Sequence, residues 1–264
     1  DATQMCHIIQ SGVSRRGPPR LRLALARRDL EAAAVAESLV PWAAAGAEPT
    51  VSANPVVDYP QGGGPFPAVV MAPGQGYHLA SPAMSETAKA LAQRGVAVYR
   101  FNWSYYTREP KGQPSDDLSA ELQDFQRVLQ AARADARVDA AHIGVVGKSL
   151  GSLVVWQAFR LDPKLKFTSL MTPVCHDQVV GQGAPQAFAA NYPGLETEAR
   201  PLQFVLGDAD PACEPKFLFR QAAEAKGSVR ISVVGGNHGF AGDGTDKSSR
   251  DAAQARNIAA VATS

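Results

Sequence analysis

The sequence predicts an α/β fold, a mostly parallel central sheet with helices on both faces, and three observations carry that prediction. From residue 50 onward strand-like and helix-like segments alternate, the pattern of a sheet whose crossovers are helical. Residues 66–71 and 143–146 are short apolar runs, as strands buried on both faces should be, and 167–171 and 202–206 read as two more short strands. The stretch Leu150–Leu161 is apolar nearly all round, which suits a helix pressed against the centre of such a sheet. With 264 residues the chain can bury one sizeable core, so a single domain is expected over residues 48–264.

Taken in order, residues 51–59 read as an edge strand that ends in the turn-rich Pro60-Gln61-Gly62-Gly63-Gly64-Pro65. The run 66–71 is the next strand, and Ala72-Pro73-Gly74-Gln75-Gly76 after it must be a loop. Over 81–93, Met84, Ala88 and Leu91 recur at helical spacing; Ser81-Pro82 supplies the cap and first turn, and Gly95 ends the helix. Residues 96–101 are strand-like and lead into a polar loop through Pro114. A helix over 116–134 places Leu118, Leu122, Phe125 and Leu129 on one face, with acidic residues in its first turn where the helix dipole favours them. Beyond 143–146 and Leu150–Leu161 come strands at 167–171 and 202–206, a helix at 214–226, a last strand Val229–Val234 and a closing helix at 247–262. Residues 173–200, rich in Gly, Pro and Gln, are long for an ordinary connection and suggest a functional loop or short lid.

Composition narrows the function. A formal net charge of +1 supplies no broad attraction for nucleic acid or an anionic membrane. There is no internal repeat and no run of about 18 apolar residues that could span a bilayer. The three cysteines are too few for a disulfide scaffold and lack metal-site spacing, so no metal is expected. Cys175 and Cys213 each follow what read as consecutive core strands, whose ends should be neighbours; a disulfide and a pair of idle thiols are both open.

Residues 1–47 form a separate extension. Arg27-Arg28 precede an alanine-rich stretch, 32–47, that ends in Ala45-Gly46-Ala47 and resembles a degenerate twin-arginine export signal. Glu31 and Glu37 fit equally an amphipathic helix packed on the domain. The expected location is therefore periplasmic or secreted, with cytoplasmic as the alternative.

The chemistry centres on Gly147-Lys148-Ser149-Leu150-Gly151, between an apolar strand and a buried helix. Glycines flank the serine because a sharp strand-to-helix turn brings the two elements too close for a Cβ, and the turn lifts the Ser149 hydroxyl above the sheet. Gly147-Lys148-Ser149 is also the tail of a phosphate-binding loop, but that motif needs a glycine where this chain has His142. A serine nucleophile needs a base held by an acid, in the chain order serine, acid, histidine. Of the histidines after Ser149, His238 lies just past the last strand and is the expected base; His176 decorates the long loop. Asp210 in Gly207-Asp208-Ala209-Asp210-Pro211 is the expected acid, Asp208 is a turn-former, and Asp177 is a distant third. Oxyanion donors are expected at the N–H groups of Leu150 and Gln75. Trp103, Tyr105 and Tyr106 follow a strand end and either line the substrate pocket or pack beneath the loop.

With these motifs in this order, the sequence resembles the α/β-hydrolase superfamily over about 66–240, nearest its dienelactone-hydrolase-like branch and small proteins with Gly-Lys-Ser-x-Gly elbows. Relatives often have His-Gly where this chain has Pro73-Gly74, and dienelactone hydrolases use cysteine where it has Ser149. The resemblance implies a single-domain α/β-hydrolase fold and a serine esterase that cleaves small or medium esters through an acyl-enzyme, without cofactor. A thioesterase, acyltransferase or peptidase with the same triad, and a non-catalytic binding protein of this fold, are the alternatives.

Overall fold

Apolar runs buried on both faces have nowhere to go but a shared sheet, and the computed structural model, which describes residues 55–176, 185–242, 244–261 and 263–264, pairs them that way. Among the described residues there are seven strands: β1 (Val56–Asp58), β2 (Phe66–Ala72), β3 (Ala97–Arg100), β4 (Val138–Lys148), β5 (Thr168–Met171), β6 (Leu202–Gly207) and β7 (Val229–Val234). Their order is β1-β3-β2-β4-β5-β6-β7. Only β1 runs antiparallel, beside β3, where the buried Arg100 guanidinium meets Asp58 at 2.7 Å. The other pairings are parallel. The helices are α1 (Pro82–Gln93), α2 (Ser104–Thr107), α3 (Ser119–Ala134), α4 (Leu150–Leu161), α5 (Pro185–Asn191), α6 (Pro215–Ala222) and α7 (Lys247–Val261).

The period-2 alternation of the strands divides the core into two layers. Val70, Val145, Leu170 and Phe204 face one way, against Phe125 and Val128 of α3, Val155 and Phe159 of α4 and Leu218 of α6. Val69, Met71, Val98, Val146 and Val205 face the other way, against Met84 and Ala88 of α1 and Ile258 and Val261 of α7. Each fully buried aliphatic or aromatic side chain contributes about 1.5–3 kcal/mol, so both layers are needed to hold the sheet.

Three elements differ from expectation. Strand β4 begins at Val138, five residues early: Asp139 is half-buried, Ala140, Ala141 and His142 are exposed, and the register against β2 shifts between Phe66 and Ala68. Helix α3 begins at Ser119: Leu118 takes a left-handed conformation (φ 58°) at the N-cap, and Asp117 caps from outside by accepting the Ser119 N–H at 3.0 Å. The segment 173–200 is not a structureless lid over its described part. It contains α5 and a 3₁₀ turn, Leu195–Thr197, and Phe188, Tyr192 and Leu195 enter the core beside Trp156 and Phe204. The extension 1–47 and Asp177 lie outside the described residues.

In this order the chain leaves β2 toward β3 on one side and leaves its neighbour β4 toward β5 on the other, so the direction of connection reverses between β2 and β4. A crevice opens at such a reversal, at the carboxyl ends of the strands, and the loops after β2 and β4 both enter it.

Candidate active site

Ser149 caps α4 at the end of β4 with φ 51° and ψ −121°, a conformation that residues bearing a Cβ rarely adopt and that costs about 1–3 kcal/mol. Its surroundings hold it there. The Ser149 N–H donates to the Met171 carbonyl at 2.9 Å, and Ser152 Oγ donates to the Ser149 carbonyl at 2.6 Å. A Cβ on Gly147 would stand 2.3 Å from the Gly151 carbonyl oxygen, so this turn tolerates only glycine there. Because residues 143–148 are strand rather than a glycine-rich cradle, a phosphate-binding loop is excluded.

The loop after β7 brings His238 over the serine. His238 Nε2 lies 2.8 Å from Ser149 Oγ, and Nδ1 lies 2.9 and 3.0 Å from the two oxygens of Asp210. Asp210 is buried, and its Oδ1 also accepts the Ala212 N–H at 2.8 Å. Asp208 is exposed and accepts the Gly236 N–H at 2.8 Å; its partner is not in its own turn, where one was expected, but on the loop after β7, 28 residues along the chain. His176 is buried against Phe217, ring centroids 5.1 Å apart. Cys175 and Cys213 form a disulfide, Cα atoms 4.8 Å apart, which ties the loop after β5 to the loop carrying Asp210. The Cys213 N–H itself donates to the Asp210 carbonyl at 3.3 Å.

Leu150 opens α4, and N–H groups of a first helical turn have no carbonyl within the helix to bond. The loop after β2 folds into a turn closed by the Tyr77 N–H donating to the Gly74 carbonyl at 3.1 Å, with Gln75 at its corner. Gly74 packs so near the nucleophile that a Cβ on it would lie 3.2 Å from the Ser149 Cβ. The Gln75 side chain turns outward and donates to Gln113 Oε1 at 3.3 Å.

Trp103 does not line a pocket. It is fully buried, and its indole Nε1–H donates to the Pro73 carbonyl at 2.9 Å, so it supports the Gly74-Gln75 loop from beneath. An amphipathic ring after a strand end is equally suited to either task, and here a tertiary partner decides. Tyr105 lines a cleft of about 600 Å³ with Arg108, Gln113, Pro114 and Glu121. Burial and the nearby Glu121 charge push its phenol up to about 12. Tyr106 is half-buried, with Lys111 Nζ 3.4 Å above its ring.

Three residues at the site had no role in the sequence reading. Lys148 is fully buried; Nζ donates to Thr172 Oγ1 at 3.0 Å and to the His238 carbonyl at 2.8 Å. Burial lowers its pKa to about 8, against the opposing pull of the Asp210 charge. Tyr77 covers the ammonium with its ring, 4.3 Å to the centroid. Tyr192 is buried, exchanges a hydrogen bond with Ser152 Oγ at 2.8 Å and accepts the Val174 N–H, linking the elbow to the segment after β5. A charged residue in the last position of an apolar strand was the available signal for Lys148.

Residues 66–264 match a family model described as an alpha/beta hydrolase domain. Similar solved structures include a serine hydrolase homologue from Coxiella burnetii, 19% identical with TM-score 0.56 over 77% of this chain and 90% of that one. Another is Est1E from Butyrivibrio proteoclasticus with ferulic acid bound, 16% identical, TM-score 0.57, over 79% of this chain and 95% of that one. A third is a serine hydrolase without lid from Xanthomonas campestris, 17% identical, TM-score 0.53, over 78% and 83%. At these identities the likeness is one of fold. No protein of curated function matches the chain.

Proposed function

The chain belongs to the α/β-hydrolase family, and on that premise we propose that it is a serine carboxylesterase acting on small or medium esters. The observation that carries the reading is the continuous row from Ser149 Oγ through His238 to the buried Asp210 carboxylate, at 2.8 and 2.9 Å. In that role Ser149 Oγ attacks the ester carbonyl while His238 Nε2 takes its proton. Asp210 keeps Nδ1 protonated and stabilises the imidazolium without accepting the proton. The N–H groups of Leu150 and Gln75 meet the oxyanion, each donor worth a few kcal/mol in the transition state. His238 then protonates the departing alcohol, and water, activated by the same imidazole, releases the acid and restores Ser149. The cleft bordered by Tyr105 adjoins the Gln75 loop through Gln113, which supports it as the place for one arm of the ester.

Two features bear on context. Among the described residues no helix is long and apolar enough to cross a membrane. The Cys175–Cys213 disulfide supports an oxidising compartment, in keeping with the periplasmic or secreted expectation.

The test is labelling by a fluorophosphonate probe, native chain against Ser149→Ala, with mass mapping of the modified residue. Label confined to Ser149 supports the reading and directs work to esters graded by acyl length. A folded protein that takes no label rejects it in favour of a binding role for the fold.

A further inference from the structure

We propose that Lys148 is a positioning residue, its buried ammonium fixing His238 by the main-chain carbonyl so that the imidazole is held over Ser149. The inference rests on the serine hydrolase reading and adds a residue to it.

The loop after β7 leaves four successive carbonyls to satisfy, and each has a donor. Asn257 Nδ2 and Gln254 Nε2 of α7 donate to Phe240 and Gly239 at 3.0 and 2.9 Å, and the Asn237 N–H donates to Ala241 at 3.0 Å. The His238 carbonyl accepts from Lys148 Nζ at 2.8 Å. Helix α7 thus holds the loop at Gly239 and Phe240, and the residue preceding the nucleophile holds it at His238. Serine and base are tied through adjacent backbone positions in addition to their own side-chain contact.

An ammonium has three protons to place, and a buried one must place them all. Thr172 Oγ1, the His238 carbonyl and the Tyr77 ring face receive them. The charge is faced by His238 and Asp210 and by the phenol of Tyr77, and Asp210 supplies the compensating negative charge. A structural filler in this apolar setting would not require a cation; Met has similar length and no desolvation penalty.

The experiment measures the rate of Ser149 labelling by a fluorophosphonate between about pH 6.5 and 9.5 for the full native chain, Lys148→Met and Thr172→Val, with melting temperature in parallel. Native protein should lose rate as pH rises through about 8, where Lys148 gives up its proton. Lys148→Met should label about ten- to a hundredfold more slowly near neutral pH, the scale of a displaced catalytic group, and show no such alkaline loss. Thr172→Val, which keeps the cation but removes one acceptor, should fall in between. A folded Lys148→Met with the native rate and pH profile overturns the inference. If that variant does not fold, a native profile that stays level through pH 8 together with a native rate in Thr172→Val overturns it. Absence of label on the native chain rejects the hydrolase reading instead, so the two failures are distinct.

Discussion

The His238 imidazole stands with Nδ1 2.9 and 3.0 Å from the two oxygens of Asp210, while Asp208, two residues away, spends its carboxylate on the Gly236 N–H. The two acids are therefore separable by experiment. Asp210→Asn should lower kcat by about a thousand- to ten-thousandfold, since an amide no longer enforces the productive tautomer. Asp208→Asn should leave kcat within about threefold and act on stability instead. Steady-state rates on one activated ester decide the matter, and a costlier Asp208→Asn would reassign the acid.

Trp103→Phe keeps an aromatic ring but empties the space of the indole's second ring and strips the donor from the buried Pro73 carbonyl. An orphaned acceptor of this kind costs about 1–3 kcal/mol. Because Gly74 and Gln75 follow directly, the variant should lower both the melting temperature and the labelling rate of Ser149. A loss of stability with an unchanged labelling rate would show that the loop keeps its geometry without the indole.

Peptide mapping of unreduced protein should recover Cys175 and Cys213 in one linked species, lighter by two hydrogens than the free pair. Their separation of 38 residues gives a loop-closure contribution of up to about 4 kcal/mol. The double variant Cys175→Ser with Cys213→Ser should therefore lower the unfolding free energy by up to that order, read as a downward shift of the urea midpoint. Both thiols found free in native protein would remove the bridge.

Stability should respond to alkali in the opposite sense to activity. Lys148 has an ordinary pKa of 10.5 when unfolded and about 8 when buried, so between these values the unfolded chain binds more protons. Raising the pH through that window favours the folded state, by up to about 3 kcal/mol when complete. Tyr77, Tyr99 and Tyr105, whose buried phenols are held above their ordinary value of 10.0, oppose this only once the pH passes that value. Chemical denaturation at pH 8 and at about 9.5 should show a gain in native protein that Lys148→Met lacks. Equal slopes in the two proteins would place the titration elsewhere.

What the sequence made legible was local. The strand, Gly147, Ser149 and the helix after it are contiguous, and Asp210 and His238 are each announced by a strand end and a turn, so their positions follow from order along the chain. Lys148 escaped because its partners Thr172 and His238 lie 24 and 90 residues away. Trp103 was ambiguous for the same reason, its partner being a carbonyl 30 residues earlier. The start of β4 was missed because Asp139, Ala140, Ala141 and His142, between the buried Val138 and Ile143, are short or polar residues turned toward solvent that give no apolar periodicity. In 173–200, glycine and proline masked three apolar anchors, Phe188, Tyr192 and Leu195, that only the finished core identifies.

The strand order has a consequence in time. Ser149 follows β4, at the middle of the sheet, whereas His238 follows β7 at its far edge, the last of the described strands to be synthesised. A nascent chain that has completed the elbow still lacks the imidazole, and β7 has only β6 to pair with. On the proposed triad, reactivity at Ser149 requires β7 as well as β4, and an active-site probe on a ribosome-bound or truncated chain should report completion of the sheet rather than the presence of the serine.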